Sequence, residues 1–143
     1  MSGTPVVLVA ACVLIDADDR ILIAQRPKGK AMAGLWEFPG GKVEMGERPE
    51  ETVMREMLEE LAISVAEKSL TPFRFASHNY PDFHLLMPLF LCRSWEGVPI
   101  PREGQKTAWV RPEELRADNG LYPMPPADLP LVEPLVKLLR RTG

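Results

Sequence analysis

The sequence is poor in several residue types that characterise other protein classes. Its 143 residues include only two cysteines and two histidines, and aromatic residues make up 7% of the chain. Two isolated cysteines, Cys12 and Cys92, form neither a zinc-binding pattern nor a disulfide framework. Each lies in an apolar run, so we expect both to be buried, reduced thiols in a cytoplasmic protein.

Basic blocks and long apolar runs are also missing. The net charge is −3 and the pI is near 5.5, so we expect no surface that binds duplex nucleic acid through its phosphates. The apolar stretch Val6–Ile15 is shorter than the roughly 20 residues that span a bilayer. A secretory signal would require a positively charged residue before its apolar stretch, and no Lys or Arg precedes Arg20. We therefore expect no membrane partner and predict a core strand at Val6–Ile15.

The remaining composition is that of an ordinary globular protein. Hydrophobic residues make up 45% and charged residues 26% of the chain, close to the average for soluble domains. This length favours a single domain over residues 1–143 with one core. The 15 prolines lie mostly after residue 70, which predicts long, stiff connections in the second half. We expect a small-molecule ligand and a monomer, with a dimer left open.

Hydrophobic patterning predicts strands and helices without regular alternation. The predicted strands are Val6–Ile15, Ile21–Arg26, the short extended piece Trp36–Gly41, Leu70–Ser77, Phe83–Arg93 and Thr107–Val110. We expect the first two to form a hairpin, and Pro88 favours an edge or a bulge for its strand. The predicted helical segments are Pro49–Leu61, the single turn Arg111–Leu115 and Leu129–Arg140. This mixture fits an α+β fold with a mixed sheet between helices.

The helix predicted at Pro49–Leu61 carries three carboxylates on one face. With Glu56 at the origin, Glu59 and Glu60 fall at about −60° and about +40° around the helix. The opposite stripe, which we expect to face the core, consists of Met54, Met57, Leu58 and Leu61. Many helices have a solvated acidic face, but like charges four residues apart destabilise a helix by about 0.2–0.5 kcal/mol. Clustered carboxylates also suit Mg²⁺ or Mn²⁺, and the helix alone leaves both interpretations open.

The segment around this helix matches a longer pattern. The pattern is Gly, five residues, Glu, seven residues, Arg-Glu, an aliphatic residue, any residue, Glu-Glu, any residue, Gly and an aliphatic residue. The matching positions are Gly41, Glu47, Arg55, Glu56, Met57, Glu59, Glu60 and Ile63. A chance match has a probability on the order of one in a million, and on these residues the chain resembles the Nudix family, with its Nudix box at 41–63. One position departs from the pattern: Ala62 replaces a glycine, at a cost of about 1 kcal/mol if the helix ends in a left-handed cap.

Other segments extend the resemblance to the MutT-like members of this family. They are Glu37–Glu47, Arg26 after the second strand, Tyr80–Asp82, Trp95–Gly97, Glu103–Gln105 and Pro125–Asp128, in the same order along the chain. Taken together they cover most of the sequence. The resemblance implies a Nudix fold of the α/β/α type, in which a loop-helix-loop motif carries the catalytic groups.

The resemblance implies a metal site on the acidic helix. The implied ligands of Mg²⁺, with Mn²⁺ as a substitute, are Glu56, Glu59, Glu60 and the backbone carbonyl of Gly40. Arg55 would orient these glutamates together with Glu47, while Gly41 would have a structural role. Glu103 would be a further ligand or the general base; the alternative is an ordinary loop charge.

The resemblance also implies substrate-binding residues, each with a simpler alternative. Arg26 would clamp a phosphate or touch the base, or be a solvated arginine at a strand end, and Lys42 would add positive charge near the phosphates. Tyr80 and Phe38 would stack on or wall a purine, or belong to the core. Asp128 replaces an asparagine of the MutT pattern; it would read the base or cap the last helix. Ionised Asp only accepts hydrogen bonds, so it would repel guanine O6 unless it were protonated in a dry pocket.

The activity that this resemblance implies is Mg²⁺-dependent hydrolysis of a nucleoside or deoxynucleoside triphosphate to a monophosphate and pyrophosphate, with 8-oxo-dGTP as a candidate substrate. One alternative keeps the enzyme and changes its substrate to a modified pyrimidine triphosphate or a nucleoside diphosphate derivative. The other is a nucleotide-binding module without turnover. Such modules usually lose glutamates from the box, whereas all of them are present here.

Overall fold

The chain folds into two β-sheets and two α-helices connected by loops and short 3₁₀ turns. The computed structural model describes residues 3–140. The elements are β1 Val6–Leu14, β2 Ile21–Gln25, β3 Trp36–Glu37, β4 Gly40–Lys42, α1 Pro49–Leu61, β5 Leu70–Asn79, β6 His84–Cys92, β7 Lys106–Val110 and α2 Val132–Leu138. The predicted helix at Pro49–Leu61 is confirmed at both ends. No helix in this described range has the length and apolar character needed to span a membrane.

The predicted mixed sheet is present but divided into two. The larger sheet has the strand order β4-β1-β6-β5, in which β1 and β6 are parallel and the other neighbours are antiparallel. The smaller sheet, β3-β2-β7, is antiparallel. Because β1 and β2 each bury side chains on both faces, a helix can pack on either side of them. This confirms the α+β architecture.

Two buried clusters lie on opposite sides of β1. On one side, Ala10, Cys12 and Leu14 pack against the apolar face of α1. On the other side, Ala11 and Val13 belong to the cluster that contains α2. Both cysteines are buried free thiols, as expected. Alternate residues of one strand therefore support the two helices of the α/β/α arrangement.

The predicted hairpin of the first two strands is wrong. Strand β1 pairs with β4 on one edge and with β6 on the other, so neither edge is left for β2. Only the isolated bridge between Ile15 and Ile21 joins the two segments at the turn. The chain changes sheets there, because distant pairing partners occupy β1 more completely than its sequence neighbour does.

Of the two alternatives predicted for Pro88, an edge or a bulge, the edge is wrong. Its strand β6 lies inside the larger sheet, between β1 and β5, instead of at an edge. The pairs between β1 and β6 stop at Leu8–Leu86 and resume at Ala11–Leu89. Since proline has no amide hydrogen to donate, the sheet accommodates Pro88 by this gap in the ladder.

The closing helix is shorter than the predicted Leu129–Arg140. A 3₁₀ turn covers Leu129–Leu131, and the α-helix runs from Val132 to Leu138. Asp128 precedes the turn in a helical backbone conformation, and its side chain makes no capping hydrogen bond. The predicted cap is therefore absent, and the Asp128 side chain lies in a different environment.

Candidate active site

Helix α1 presents its acidic residues beside the larger sheet. The backbone amide of Arg48 donates to Glu51 at the start of the helix, at 2.8 Å. At its end, Ala62 adopts a left-handed conformation with φ of 58°, and its amide caps the last turn. This is the backbone shape for which the Nudix pattern uses glycine, so the helix ends as the pattern requires despite the alanine.

The buried face of α1 is rotated relative to the predicted stripe. Val53, Met57 and Leu61 are fully buried, whereas Leu58 is 56% exposed and does not belong to the core. Met54 is only partly buried. The core-facing stripe thus lies closer to Glu60 than predicted, because α1 packs against β1 at an angle that its own periodicity does not specify. As a result Glu60 is drawn into the protein while Glu59 stays exposed.

Arg55 holds the carboxylates of this face in place. Its guanidinium donates to both oxygens of Glu47, at 2.7 and 3.0 Å. It also donates to Glu56 at 2.7 Å and to Glu59 at 3.3 Å. The hydrogen bonds from Arg55 to Glu47 are the largest cause of the lowered pKa of Glu47, which is about 2. One arginine therefore connects the loop before α1 to two of the implied metal ligands.

Glu60 is the most perturbed carboxyl of the group. Burial raises its pKa to about 9, with further contributions from Glu56, Glu103 and Glu37, while the Gly40 amide opposes the shift. Its Oε2 atom is buried and has no hydrogen-bond partner among residues 3–140. A buried, unsatisfied carboxylate oxygen costs free energy, and a cation at this position would satisfy it.

Strand β4 brings two glycines against the acidic face. The ladder bonds from Cys12 to Pro39 and from Val43 to Leu8, both 2.9 Å, alternate along β1 and leave the amide and carbonyl of Gly40 turned away from that strand. A side chain at Gly40 would collide with the Ala10 carbonyl, and a Cβ at Gly41 would lie 2.5 Å from the Glu56 carboxyl carbon. Only glycine lets the backbone approach the carboxylates this closely.

The loop that carries Glu103 is tied to the end of α1. The Gln105 side chain accepts from the Glu103 amide at 2.8 Å and donates to the Glu60 carbonyl at 3.1 Å. The Arg102 amide donates to the same carbonyl at 2.9 Å. Glu103 is exposed, yet it is close enough to raise the pKa of both Glu56 and Glu60.

These groups fit a divalent metal ion in donor type. Glu56, Glu60 and Glu103 are hard oxygen donors, Gly40 lines the same smaller cavity as Glu60 and Glu103, and the unpartnered Glu60 oxygen is available to a cation. The side chains do not yet converge: among residues 3–140 no three acidic, histidine or cysteine side chains form a ready metal cluster. Arg55 is paired with one oxygen of Glu56 at 2.7 Å and one oxygen of Glu59 at 3.3 Å, oxygens that a metal would otherwise be able to hold.

A larger cavity of about 380 Å³ adjoins the acidic face and is mainly apolar. Its walls include Phe38, Tyr80, Phe83, Met87 and Asp128. Tyr80 stacks on Phe83 with ring centroids 5.1 Å apart, and its hydroxyl accepts from the Ala127 amide at 3.3 Å. The size and the aromatic wall suit a planar base, which is the placement that the resemblance implies for Phe38 and Tyr80.

Asp128 is a buried acid in the wall of this cavity. It is only 5% exposed. Burial and the nearby Glu37 raise its pKa to about 7, while Arg26 and a hydrogen bond from the Phe38 amide oppose the shift. The carboxyl is therefore partly protonated near neutral pH and is able either to donate or to accept a hydrogen bond.

Arg26 lines both cavities, whereas Lys42 lines only the larger one. The Nε atom of Arg26 donates to Glu37 at 3.0 Å, and its Nη1 atom donates to the Ala31 carbonyl at 3.3 Å. Burial raises the pKa of Glu37 despite this ion pair. The Lys42 carbonyl accepts from Arg55, while Lys42 also lines the larger cavity. Arg26 is thus engaged by a carboxylate between the larger cavity and the acidic face.

Sequence reasoning did not single out Glu37, Lys30 or Gln105 as functional residues. Glu37 and Gln105 stood within the quoted MutT-like segments, so the signal was present without a role attached to it. Lys30 lies in a loop and joins the others only through the fold, in a smaller cavity of about 220 Å³ that Glu37, Glu60, Glu103 and Gln105 also line.

Comparison with known proteins identifies the family. The family model described as a NUDIX domain matches residues 10–134. An 8-oxo-dGTP diphosphatase of Escherichia coli K12 is 37% identical over 130 residues, covering 91% of this chain and 96% of the relative. A CTP pyrophosphohydrolase of the same organism is 36% identical over 135 residues, covering 87% of this chain and 88% of the relative.

The fold agrees with these relatives. A solved MutT structure from work on the Aliivibrio salmonicida and Vibrio cholerae proteins superposes with a TM-score of 0.76 at 32% identity, covering 93% of this chain and 98% of that one. Members of the Nudix family are hydrolases that generally need a divalent metal. The matched model spans most of the chain, including the acidic face of α1 and most of the walls of both cavities, and the chain belongs to the Nudix family of hydrolases.

Proposed function

We propose that this protein is a Mg²⁺-dependent pyrophosphohydrolase that converts 8-oxo-dGTP to the monophosphate and pyrophosphate. The single observation that carries the proposal is the unpartnered Glu60 oxygen at the smaller cavity, which shares Gly40 with the larger cavity sized for a base. Relatives named 8-oxo-dGTP diphosphatase support the substrate. Asp128 supports it as well, because a protonated carboxyl donates to guanine O6 and an ionised one accepts the N–H that 8-oxidation creates.

The chain's own residues divide the reaction between them. Bound Mg²⁺ would neutralise phosphate oxygens and lower the pKa of the attacking water. Glu56, Glu59, Glu60 and Gly40 would hold it, and Arg55 would keep two of these carboxylates oriented. Glu103 would accept the proton of the attacking water, either directly or after serving as a ligand. The aromatic wall of the larger cavity would hold the base in place during the reaction.

A second substrate has a specific observation in its favour. Asp128 and Glu37 place two carboxyl groups at the larger cavity, and carboxylates accept hydrogen bonds from the cytosine amino group. The relative named CTP pyrophosphohydrolase is nearly as similar to this chain as the first 8-oxo-dGTP diphosphatase. A cytidine-type triphosphate is therefore the alternative for the same chemistry.

A panel of triphosphates separates the two candidates. The purified protein is assayed with Mg²⁺ against 8-oxo-dGTP, dGTP, dCTP and CTP, and the products are separated by chromatography. We expect kcat/KM for 8-oxo-dGTP to exceed that for the other three by about tenfold or more, since one well-placed hydrogen bond is worth about 1.4 kcal/mol or more. Faster turnover of dCTP or CTP would transfer the proposal to the second substrate. The double variant Glu59→Gln, Glu60→Gln serves as the inactive control.

A further inference from the structure

The loop between β2 and β3, residues 27–34, passes over both cavities. Lys30 lines the smaller cavity, whereas Ala31 and Met32 line the larger one. Gly29 and Gly34 adopt left-handed conformations that turn the loop back on itself. The Gly34 amide donates to the Arg26 carbonyl at 3.0 Å, and the Gln25 side chain donates to the Gly34 carbonyl at 3.0 Å. The loop thus holds one lysine beside the acidic face and away from the base.

The two cavities join at three residues. Arg26, Glu37 and Gly40 line both of them, while Phe38, Tyr80 and Asp128 line only the larger one. Glu60 and Glu103 line only the smaller one. A nucleotide whose base lies in the larger cavity therefore reaches the smaller cavity with its phosphates.

The cations around the smaller cavity differ in how they are paired. Arg26 is bound by Glu37 at 3.0 Å, and Arg55 is bound by Glu47 and Glu56, both at 2.7 Å. In the part of the chain that the structure describes, the Lys30 backbone amide donates to the Pro27 carbonyl at 3.4 Å, but the Lys30 ammonium has no carboxylate within 4.0 Å and no hydrogen-bond partner. A triphosphate carries several negative charges, and Lys30 is the cation at this cavity that can meet them without breaking an existing ion pair.

We propose that Lys30 binds the terminal phosphates of the nucleotide, the part that leaves as pyrophosphate. This rests on the proposed function, since it assigns one end of the same substrate. The ammonium group donates hydrogen bonds to phosphate oxygens and offsets their charge as the leaving group departs. It forms no covalent bond and takes no proton in the reaction. The matched residue is Lys28, which belongs to the same exposed loop and lines neither cavity.

The test is isothermal titration of inorganic pyrophosphate, with Mn²⁺ present, into the wild-type protein and the Lys30→Gln and Lys28→Gln variants. We expect Lys30→Gln to weaken pyrophosphate binding by about tenfold or more, as the loss of a charge-assisted hydrogen bond does. Lys28→Gln should stay within about twofold of the wild type. A nucleoside monophosphate should bind equally to all three proteins, and Lys30→Arg should restore most of the lost affinity. Thermal melting verifies that the variants are folded.

Equal losses for Lys30→Gln and Lys28→Gln would overturn the proposal, because they would reflect the general charge of the loop. Unchanged binding by Lys30→Gln, or no pyrophosphate binding by the wild type, would overturn it as well. Steady-state kinetics gives a second readout: Lys30→Gln should raise KM for the triphosphate by more than it lowers kcat. The titration needs no turnover. Failure of the proposed function, which would appear as absent hydrolysis of every triphosphate, is thereby distinguished from failure of the Lys30 assignment.

Discussion

The acidic face of α1 and the larger cavity, which we call the base cavity after the function proposed for it, are built in opposite ways. The acidic face takes most of its groups from one helix, where Glu56, Glu59 and Glu60 follow one another within two turns. The base cavity takes its walls from segments far apart in the chain, from Val7 to Asp128. The first is crowded with charge and tied together by one arginine, whereas the second is mainly apolar and has two acids in its wall, Glu37 and the buried Asp128. Local spacing therefore assembles the acidic groups, and long-range packing assembles the walls of the larger cavity.

The largest expected effect comes from removing a charge on the acidic face. Glu60→Gln should lower kcat by about a hundredfold or more, since removing even an outer partner of a metal site costs 10–100-fold. The unfolding free energy should stay equal or rise, because the substitution removes a buried carboxyl whose pKa is raised to about 9. Kinetics and thermal melting measure the two quantities. Glu50→Gln, on the same helix but away from the face, is the control; equal kcat values for the two variants would contradict the assignment.

A smaller effect is expected where the acidic face receives a group from elsewhere. Gln105→Leu removes the Gln105 hydrogen bonds with the Glu103 amide and the Glu60 carbonyl, while the Arg102 amide still joins the loop to that carbonyl. We expect kcat to fall about tenfold with little change in KM. The substitution displaces the Glu103 carboxylate, which acts on the reaction, and does not alter the base cavity.

The double variant Gln105→Leu, Glu103→Gln sharpens this prediction. If Gln105 acts only by positioning Glu103, the double variant should be no slower than Glu103→Gln alone, because effects on one unit are not additive. Lys106→Gln, on the exposed neighbouring residue, should leave kcat unchanged. Additive losses would show that Gln105 acts independently of Glu103.

The base cavity predicts a pH effect that the acidic face does not share. In the folded protein the pKa of Asp128 is raised to about 7 from its ordinary value of 3.8, so the folded state binds this proton more tightly than the unfolded state. The stabilisation is complete below about pH 4 and is lost as the pH rises through about 7. Asp128→Asn carries no such proton. The difference in unfolding free energy, Asp128→Asn minus wild type, should therefore increase as the pH rises from 4 to 8.

Urea unfolding at several pH values measures this difference. Glu37, whose pKa is also raised, Arg26 and Tyr80 face Asp128 and are present in both proteins, so their contributions largely cancel. Parallel stability curves for the two proteins would contradict a buried, titrating Asp128. In kinetics, Asp128→Asn should change the ratio of kcat/KM between 8-oxo-dGTP and dCTP while both substrates are still hydrolysed, which keeps base selection apart from the chemistry.

The smallest expected effect lies at the end of α1, where neither region is touched. Ala62 has a φ of 58°, a conformation that costs an L-residue about 1 kcal/mol and costs glycine little. Ala62→Gly should therefore raise the unfolding free energy by up to about 1 kcal/mol and leave kcat/KM unchanged. Chemical denaturation and the standard assay measure both. A loss of activity would show that the alanine has a role in the site.

Predictions from local pattern agree best with the structure where neighbouring residues decide the outcome. The bounds of α1 and the left-handed conformation after it follow from Pro49 and from the Nudix spacing, and both are present. The hairpin prediction was wrong because β1 had two distant strands to pair with, and the Leu58 prediction was wrong because helix periodicity does not specify which side packs. The cap predicted at Asp128 was wrong for a similar reason: burial directed that carboxyl to a cavity.

The sequence by itself determined the helix, the order of its carboxylates and the family, because these depend on spacing within a few turns of one chain segment. Only the tertiary structure decided which carboxylate is buried, which arginine is already paired and which lysine is not. Those properties depend on desolvation and on contacts between residues such as Lys30 and Glu103, which lie far apart in the chain and share one cavity. Electrostatic free energy depends on distance and burial in three dimensions, and neither can be computed from spacing along the chain.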